Sequence, residues 1–229
     1  MATALRRITP LTAFLTILLT TSACDTPSPA PPVKPSAQGT VATDAEPSDA
    51  SATTSSASPE VVGPAPADLH DVDWANTPVS GEFCGVPGLV RFDTKGEARA
   101  TSTVWGPVRI RSGTEVLYGD TDGDNRDEAV VYVGCDDNGR TQNTQIAAGY
   151  VVYGHAGKNL VVIGSITPRQ KGGTYPTALA GAEFAPGRII VHEKWYRAND
   201  PHCCPTGDAT TVWTREGSGL IPGDPRITS

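Results

Sequence analysis

The chain has 229 residues, a formal net charge of −7, 19 % charged residues and 6 % aromatic ones. This acidic balance, with no basic stripe interleaved with aromatics, excludes nucleic acid as a partner, because the chain and a phosphate backbone repel one another. The aromatic-poor composition also leaves few side chains from which a stacking platform could be built.

Arg6 and Arg7 precede an apolar run from Leu11 to Leu19, which ends at Thr21-Ser-Ala-Cys24. That run is too short to span a bilayer as a permanent helix and reads as a signal peptide over residues 1–23. Its removal takes two positive charges from the −7 and leaves the mature chain at −9. The cysteine directly after the small residues resembles the lipobox of bacterial lipoproteins, with Thr21 where Leu is usual. The resemblance implies lipidation at Cys24 and a lipid anchor on the extracytoplasmic face of the cell membrane.

Residues 24–68 are Pro, Ala, Ser and Thr with scattered acids and hardly a large apolar side chain. Such a segment buries no core, so it is expected to be a disordered tether. The folded domain, residues 69–229, opens where Trp74, Phe83, Leu89, Val90 and Phe92 bring the first closely spaced large apolar residues. The runs His70-Asp-Val-Asp-Trp74 and Gly81-Glu-Phe-Cys-Gly-Val-Pro-Gly88 are similar to uncharacterised actinobacterial lipoproteins with the same order of parts, a resemblance that carries no activity with it.

Segments rich in Val, Ile, Thr and aromatics follow, divided by Gly, Asn, Asp and Pro. They predict strands over Leu89–Phe92, Arg99–Trp105, Val108–Arg111, Glu115–Tyr118, Ala129–Cys135, Gln145–Tyr153, Leu160–Ile166, Ala178–Phe184, Arg188–Tyr196 and Ala209–Thr214. No stretch holds a helical period for three turns. The fold class is therefore all-β, an antiparallel sandwich or partly closed barrel. A propeller needs at least about four blades, and no repeat period recurs to supply them.

One loop dictates a chemistry. Between the strands Glu115–Tyr118 and Ala129–Cys135, oxygen ligands stand at alternate positions, Asp120, Asp122 and Asp124, followed by Glu128. With Asp120 as the first position, Arg126 is the seventh and would offer its backbone carbonyl. Acids at every second position crowd like charges unless a cation lies between them, and Arg126 is the only nearby positive charge. A set of oxygens around one point suits calcium, which takes about six to eight of them. The twelfth position is Val131 where an EF-hand needs Glu, and the flanks are strands, so this is no EF-hand. The run Asp-Thr-Asp-Gly-Asp-Asn-Arg-Asp-Glu resembles the strand-loop-strand calcium motif of FG-GAP and VCBS-type repeats, also found in integrin-like propeller blades. Asn125 replaces the usual Gly, and Asn is the next most tolerant residue of a left-handed backbone. Glu128 replaces the usual Asp.

With Cys24 set aside, Cys84, Cys135, Cys203 and Cys204 form an even set in an exported domain and predict two disulfides. Neighbours in an extended chain point to opposite sides, so Cys203 and Cys204 are each expected to take one of Cys84 and Cys135. A zinc site from His202, Cys203 and Cys204 lacks the usual Cys-x-x-Cys spacing.

Catalytic signatures are scarce, with no Gly-x-Ser-x-Gly elbow, no His-Glu-x-x-His and no P-loop. In His192-Glu193-Lys194 the strand alternation sets His192 and Lys194 on one face, read as solvated, and Glu193 on the other. Paired acids could be drawn from Glu82, Glu183 and Glu193, but nothing in the sequence sets the separation such chemistry needs, so none is assigned; a cell-wall or carbohydrate-active hydrolase is the alternative reading. Trp105, Trp195, Tyr196 and Trp213 are read first as core; any of them exposed near a loop such as Arg197–Pro205 could stack on a sugar or a peptide. The sequence is read as a calcium-binding module for binding or scaffolding at the cell envelope. Its expected contacts are the membrane through its lipid, and cell-wall polymer or an envelope protein.

Overall fold

The computed structural model describes residues 59–139, 145–173 and 175–229. The signal peptide, Cys24 and the tether up to residue 58 lie outside the described residues. Among the described residues thirteen strands occur in order: β1 (Glu60–Pro64), β2 (Val79–Ser80), β3 (Leu89–Val90), β4 (Glu97–Ser102), β5 (Gly106–Gly119), β6 (Glu128–Asp136), β7 (Gln145–Ala156), β8 (Asn159–Ile166), β9 (Ala178–Ala185), β10 (Arg188–Trp195), β11 (Gly207–Glu216), β12 (Gly219–Pro222) and β13 (Arg226–Ile227). Among the described residues the only helical pieces are two 3-10 turns, Leu69–Asp71 and Glu82–Cys84. None is long and apolar enough to cross a membrane. The domain is all-β, and every pairing between its described strands is antiparallel.

Two sheets carry the fold. The first has the order β1-β8-β7-β6-β5-β4 and curls into a half-barrel; the second runs β12-β11-β10-β9, with β13 beside β11. Strand β6 explains how the layers meet. Its Ala129, Val131, Val133 and Cys135 enter a core with Leu69, Val79, Phe83 and Cys84, while Val130 enters a second core with Ile189, Val191 and Trp213 of the other sheet. A strand buried on both faces reads as a continuous apolar run, which is how Ala129-Val-Val-Tyr-Val133 appears in the sequence. Each fully buried Val or Ile contributes about 1.5–3 kcal/mol, so the cores on both sides of β6 dominate the stability.

Three expectations are corrected. The tether does not extend to residue 68, because Glu60–Pro64 forms the edge strand β1, paired with β8 from Glu60↔Val162 to Pro64↔Asn159. Pro64 is tolerated there because it sits at the end of an edge strand, where its missing N–H breaks no ladder. The runs Val108–Arg111 and Glu115–Tyr118 belong to one strand, β5, which absorbs the residues between them in a register shift between Ser112 and Val116. Such a bulge lets a strand carry extra residues without ending.

The cysteines also pair otherwise than expected. Cys84 joins Cys135, and Cys203 joins Cys204. The expectation assumed an extended chain at 203–204. Instead Pro201-His-Cys-Cys-Pro205 is a turn, in which Cys204 N–H donates to Pro201 O at 3.0 Å, and the alternation of an extended strand does not apply.

Candidate functional site

The acidic loop joins β5 to β6 and starts where Gly119 pairs with Glu128. Gly119 is required by a close approach: a Cβ there would stand 2.4 Å from the Phe184 ring carbon of β9. Beneath it, Tyr118 is stacked on His70 at 3.8 Å and accepts from Trp74 Nε1 at 2.8 Å, which ties the N-terminal segment to the foot of the loop. Gly123 (φ 80°) and Asn125 (φ 60°) take left-handed conformations, so Asn125 occupies the backbone state its identity suggested.

Carboxylate oxygens of Asp120, Asp122 and Asp124 lie within 4.8 Å of one another. They are also the loop's internal scaffold. Asp120 accepts from Gly123 N at 2.7 Å and Asn125 N at 3.0 Å, Asp122 from Asp124 N at 3.2 Å, and Asp124 from Arg126 N at 2.9 Å. Arg126 adds its side chain, whose Nη2 lies 2.7 Å from Asp124. That guanidinium is the main reason the Asp124 carboxyl is held below its ordinary value.

Glu128 does not join the converging oxygens. It is buried, accepts from Thr121 N at 2.7 Å and from the Thr121 hydroxyl, and faces Arg215 Nη1 of β11 at 3.0 Å. Arg215 also reaches Asp122 at 3.2 Å. Arg126 is therefore not the only cation near the loop; Arg215 is 87 residues from Glu128 in the chain, and no local pattern announces it. Gly187 N, in the β9–β10 turn, donates to Thr121 O at 2.7 Å. The loop thus pins the first sheet to the second. Five acids between Asp120 and Glu128 against Arg126 and Arg215 leave an excess of negative charge, and the donors are all carboxylates. Such a set fits a hard cation, with Asp120, Asp122 and Asp124 as the residues able to hold it.

A second feature is an open cleft of about 540 Å³ lined by Phe83, Ala147, Gln170, Lys171, Tyr175 and Thr177, among others. Its outer wall is set by Glu193, which is 1 % exposed. The Glu193 carboxylate accepts from Arg169 N at 3.0 Å, Gln170 N at 2.7 Å and Thr211 Oγ1 at 2.7 Å. A carboxylate so buried and so fully bonded is a scaffold for the turn, not a free acid or base. His192 and Lys194 take the solvated face as expected, pairing with Glu183 at 2.9 Å and with Asp208 respectively. Glu82 is exposed on its 3-10 turn.

The aromatic residues are dispersed. Trp213 is buried, Trp105 is half exposed, and Arg197 lies 5.6 Å over the Trp195 ring. Tyr196 donates its hydroxyl to His202 O at 2.9 Å, and Tyr175 packs on both Tyr196 (5.0 Å) and His202 (4.4 Å).

Asp200 closes the loop between these groups. It accepts from Thr206 Oγ1 at 2.7 Å, Thr206 N at 2.8 Å and Arg197 N at 2.8 Å, bonds that hold its carboxyl below the ordinary 3.8, those from Thr206 foremost. Because the folded value is the lower one, the stabilisation is fully present above 3.8 and is lost as pH falls through the folded value. Amide exchange at Arg197 and Thr206, corrected for intrinsic rates, is therefore expected to accelerate only as pH falls below 3.8 and through the folded value. An Asp200→Asn variant should show no such step; equal steps in both proteins would refute the assignment.

No protein-family profile, no curated protein and no solved structure matches the chain.

Proposed function

We propose that the chain is a calcium-clamped binding or scaffolding module, held at the extracytoplasmic face of the cell envelope by a lipid on Cys24. The observation that carries the calcium reading is the convergence of Asp120, Asp122 and Asp124 in a loop that also bonds the second sheet through Thr121, Glu128 and Arg215. A cation on the three carboxylates would relieve their mutual repulsion and draw Asp124 away from Arg126. It would thereby stiffen the junction of the two sheets and fix the surfaces they present. The envelope location rests on the leader and on the resemblance at Cys24, and the binding role on the open cleft with its Lys171 and Tyr175. Cell-wall polymer or an envelope protein is the corresponding partner.

Thermal unfolding of the full chain in millimolar calcium and in chelator tests the clamp. Saturation at about a hundredfold excess over Kd stabilises by about 2.7 kcal/mol. For a domain of this size that is a rise of about 5–10 °C in Tm. The Asp122→Ala, Asp124→Ala variant should show none. A wild-type protein that melts at the same temperature in both buffers would reduce the loop to an acidic turn.

A further inference from the structure

The two disulfides sit in opposite surroundings. Cys84 and Cys135 are each 1 % exposed within the first core, out of reach of an external thiol. Cys203 and Cys204 are both exposed, on the turn between Pro201 and Pro205. They differ as much in what they contribute to stability. The chain-entropy effect of a cross-link grows with the loop it closes; 51 residues separate Cys84 from Cys135, whereas Cys203 and Cys204 are neighbours. The second bridge can therefore open without threatening the fold.

What it can change is local. Asp200 pins both ends of the loop, at Arg197 and Thr206, by bonds that do not involve sulfur. Relaxation after reduction is thus confined to the residues around His202. Those residues carry the cleft's rim: the His202 ring stands edge-on to Tyr175 at 4.4 Å, His202 O accepts from the Tyr196 hydroxyl at 2.9 Å, and Tyr175 lines the cleft.

We propose that Cys203–Cys204 is a thiol–disulfide exchange site, reduced by an external dithiol, whose state sets the aromatic rim of the cleft. In the exchange a thiolate of the reductant attacks one of the two sulfurs, forming a mixed disulfide and expelling the other cysteine as a thiolate. The second thiol of the reductant then attacks the mixed disulfide, frees the first cysteine and leaves the reductant as its own disulfide. Two electrons pass from the dithiol to the protein, and its two protons end on Cys203 and Cys204. Exposed disulfides have the higher reduction potentials, which suits a bridge that is opened and closed in place.

The test is graded dithiothreitol on the full chain in non-denaturing buffer, followed by iodoacetamide and peptide mass mapping, with Cys24 scored separately. Cys203 and Cys204 are expected to take label at least about tenfold sooner than Cys84 and Cys135. The near-ultraviolet circular dichroism should change with that labelling while the far-ultraviolet spectrum stays. A Cys203→Ser, Cys204→Ser variant should lack the spectral step and melt within about 2 °C of its parent, because the bridge closes so short a loop. Simultaneous opening of all four cysteines, or recovery of Cys203 or Cys204 bonded to Cys84 or Cys135, would overturn the proposal. An unchanged near-ultraviolet spectrum on selective reduction would overturn the link to the cleft.

Discussion

A Cys84→Ala, Cys135→Ala variant is expected to lose about 4–5 kcal/mol of unfolding free energy, close to the whole margin of a domain with ordinary stability of about 5–15 kcal/mol. Two terms combine. Removing a cross-link between residues 51 apart releases about 4 kcal/mol of chain entropy to the unfolded state. The missing sulfurs leave a void in the buried cluster that includes Phe83, Ile110 and Val133, and add up to about 1 kcal/mol. Equilibrium urea unfolding measures the sum, with the midpoint falling and the slope rising as the unlinked chain exposes more surface. A loss below about 1 kcal/mol would mean that this bridge does not form in solution.

The second large effect belongs to Glu193. Its replacement by Ala leaves Arg169 N, Gln170 N and Thr211 Oγ1 without their acceptor, at about 1–3 kcal/mol each. Release of a buried charge from its own desolvation cost offsets part of this, so the expected net loss is about 3–4 kcal/mol. Glu193→Gln keeps one carbonyl acceptor but turns an NH₂ group toward donors, and should fall between. His192→Ala, one residue away on the solvated face, should stay within about 0.5 kcal/mol. If the Ala variants at 192 and 193 prove equally stable, the buried carboxylate does not hold the cleft wall. Amide exchange at Gln170 gives the local readout, rising in the Glu193 variants and not in the His192 one.

These two residues show what a sequence of this kind discloses. Alternation placed His192 and Lys194 on one face and Glu193 on the other, and that is how β10 lies. The same alternation puts Glu193 in row with Ile189 and Val191, both core residues, and a carboxylate in register with a core row already signals a buried task. Its partners at 169 and 170 could not be read, because they come from a turn 23 and 24 residues away that carries no capping pattern of its own. The acidic loop was more legible. Three acids at alternate positions converge, and Asn125 takes the left-handed backbone expected of it. Glu128 fitted the spacing of a ligand equally well, yet Arg215 from another sheet claims it, a contact fixed only by tertiary packing.

The strands repeat the pattern. Central ones such as β6 and β7 announced themselves through dense apolar runs, since they are buried on both sides. Strand β1 did not, because Glu60-Val-Val-Gly-Pro64 offers only two valines before a Gly-Pro break and becomes a strand by borrowing the ladder of β8, about a hundred residues on. The error at Cys203 and Cys204 had the opposite origin, a rule for extended chain applied where two flanking prolines impose a turn.

Strand β1 is also the first described strand of the domain, and it lies at the edge of its sheet. Any tension on the chain ahead of Glu60 is borne first by the ladder between β1 and β8, which a bulge between Val61 and Gly63 divides into two short halves. These halves yield before the meander from β4 to β8 is disturbed, since no other strand of that sheet hangs on β1. Its five residues correspond to about 17 Å of extended chain. The edge strand is in this sense a fuse: its release takes Val62 from the margin of the first core and leaves the second core without a lost member.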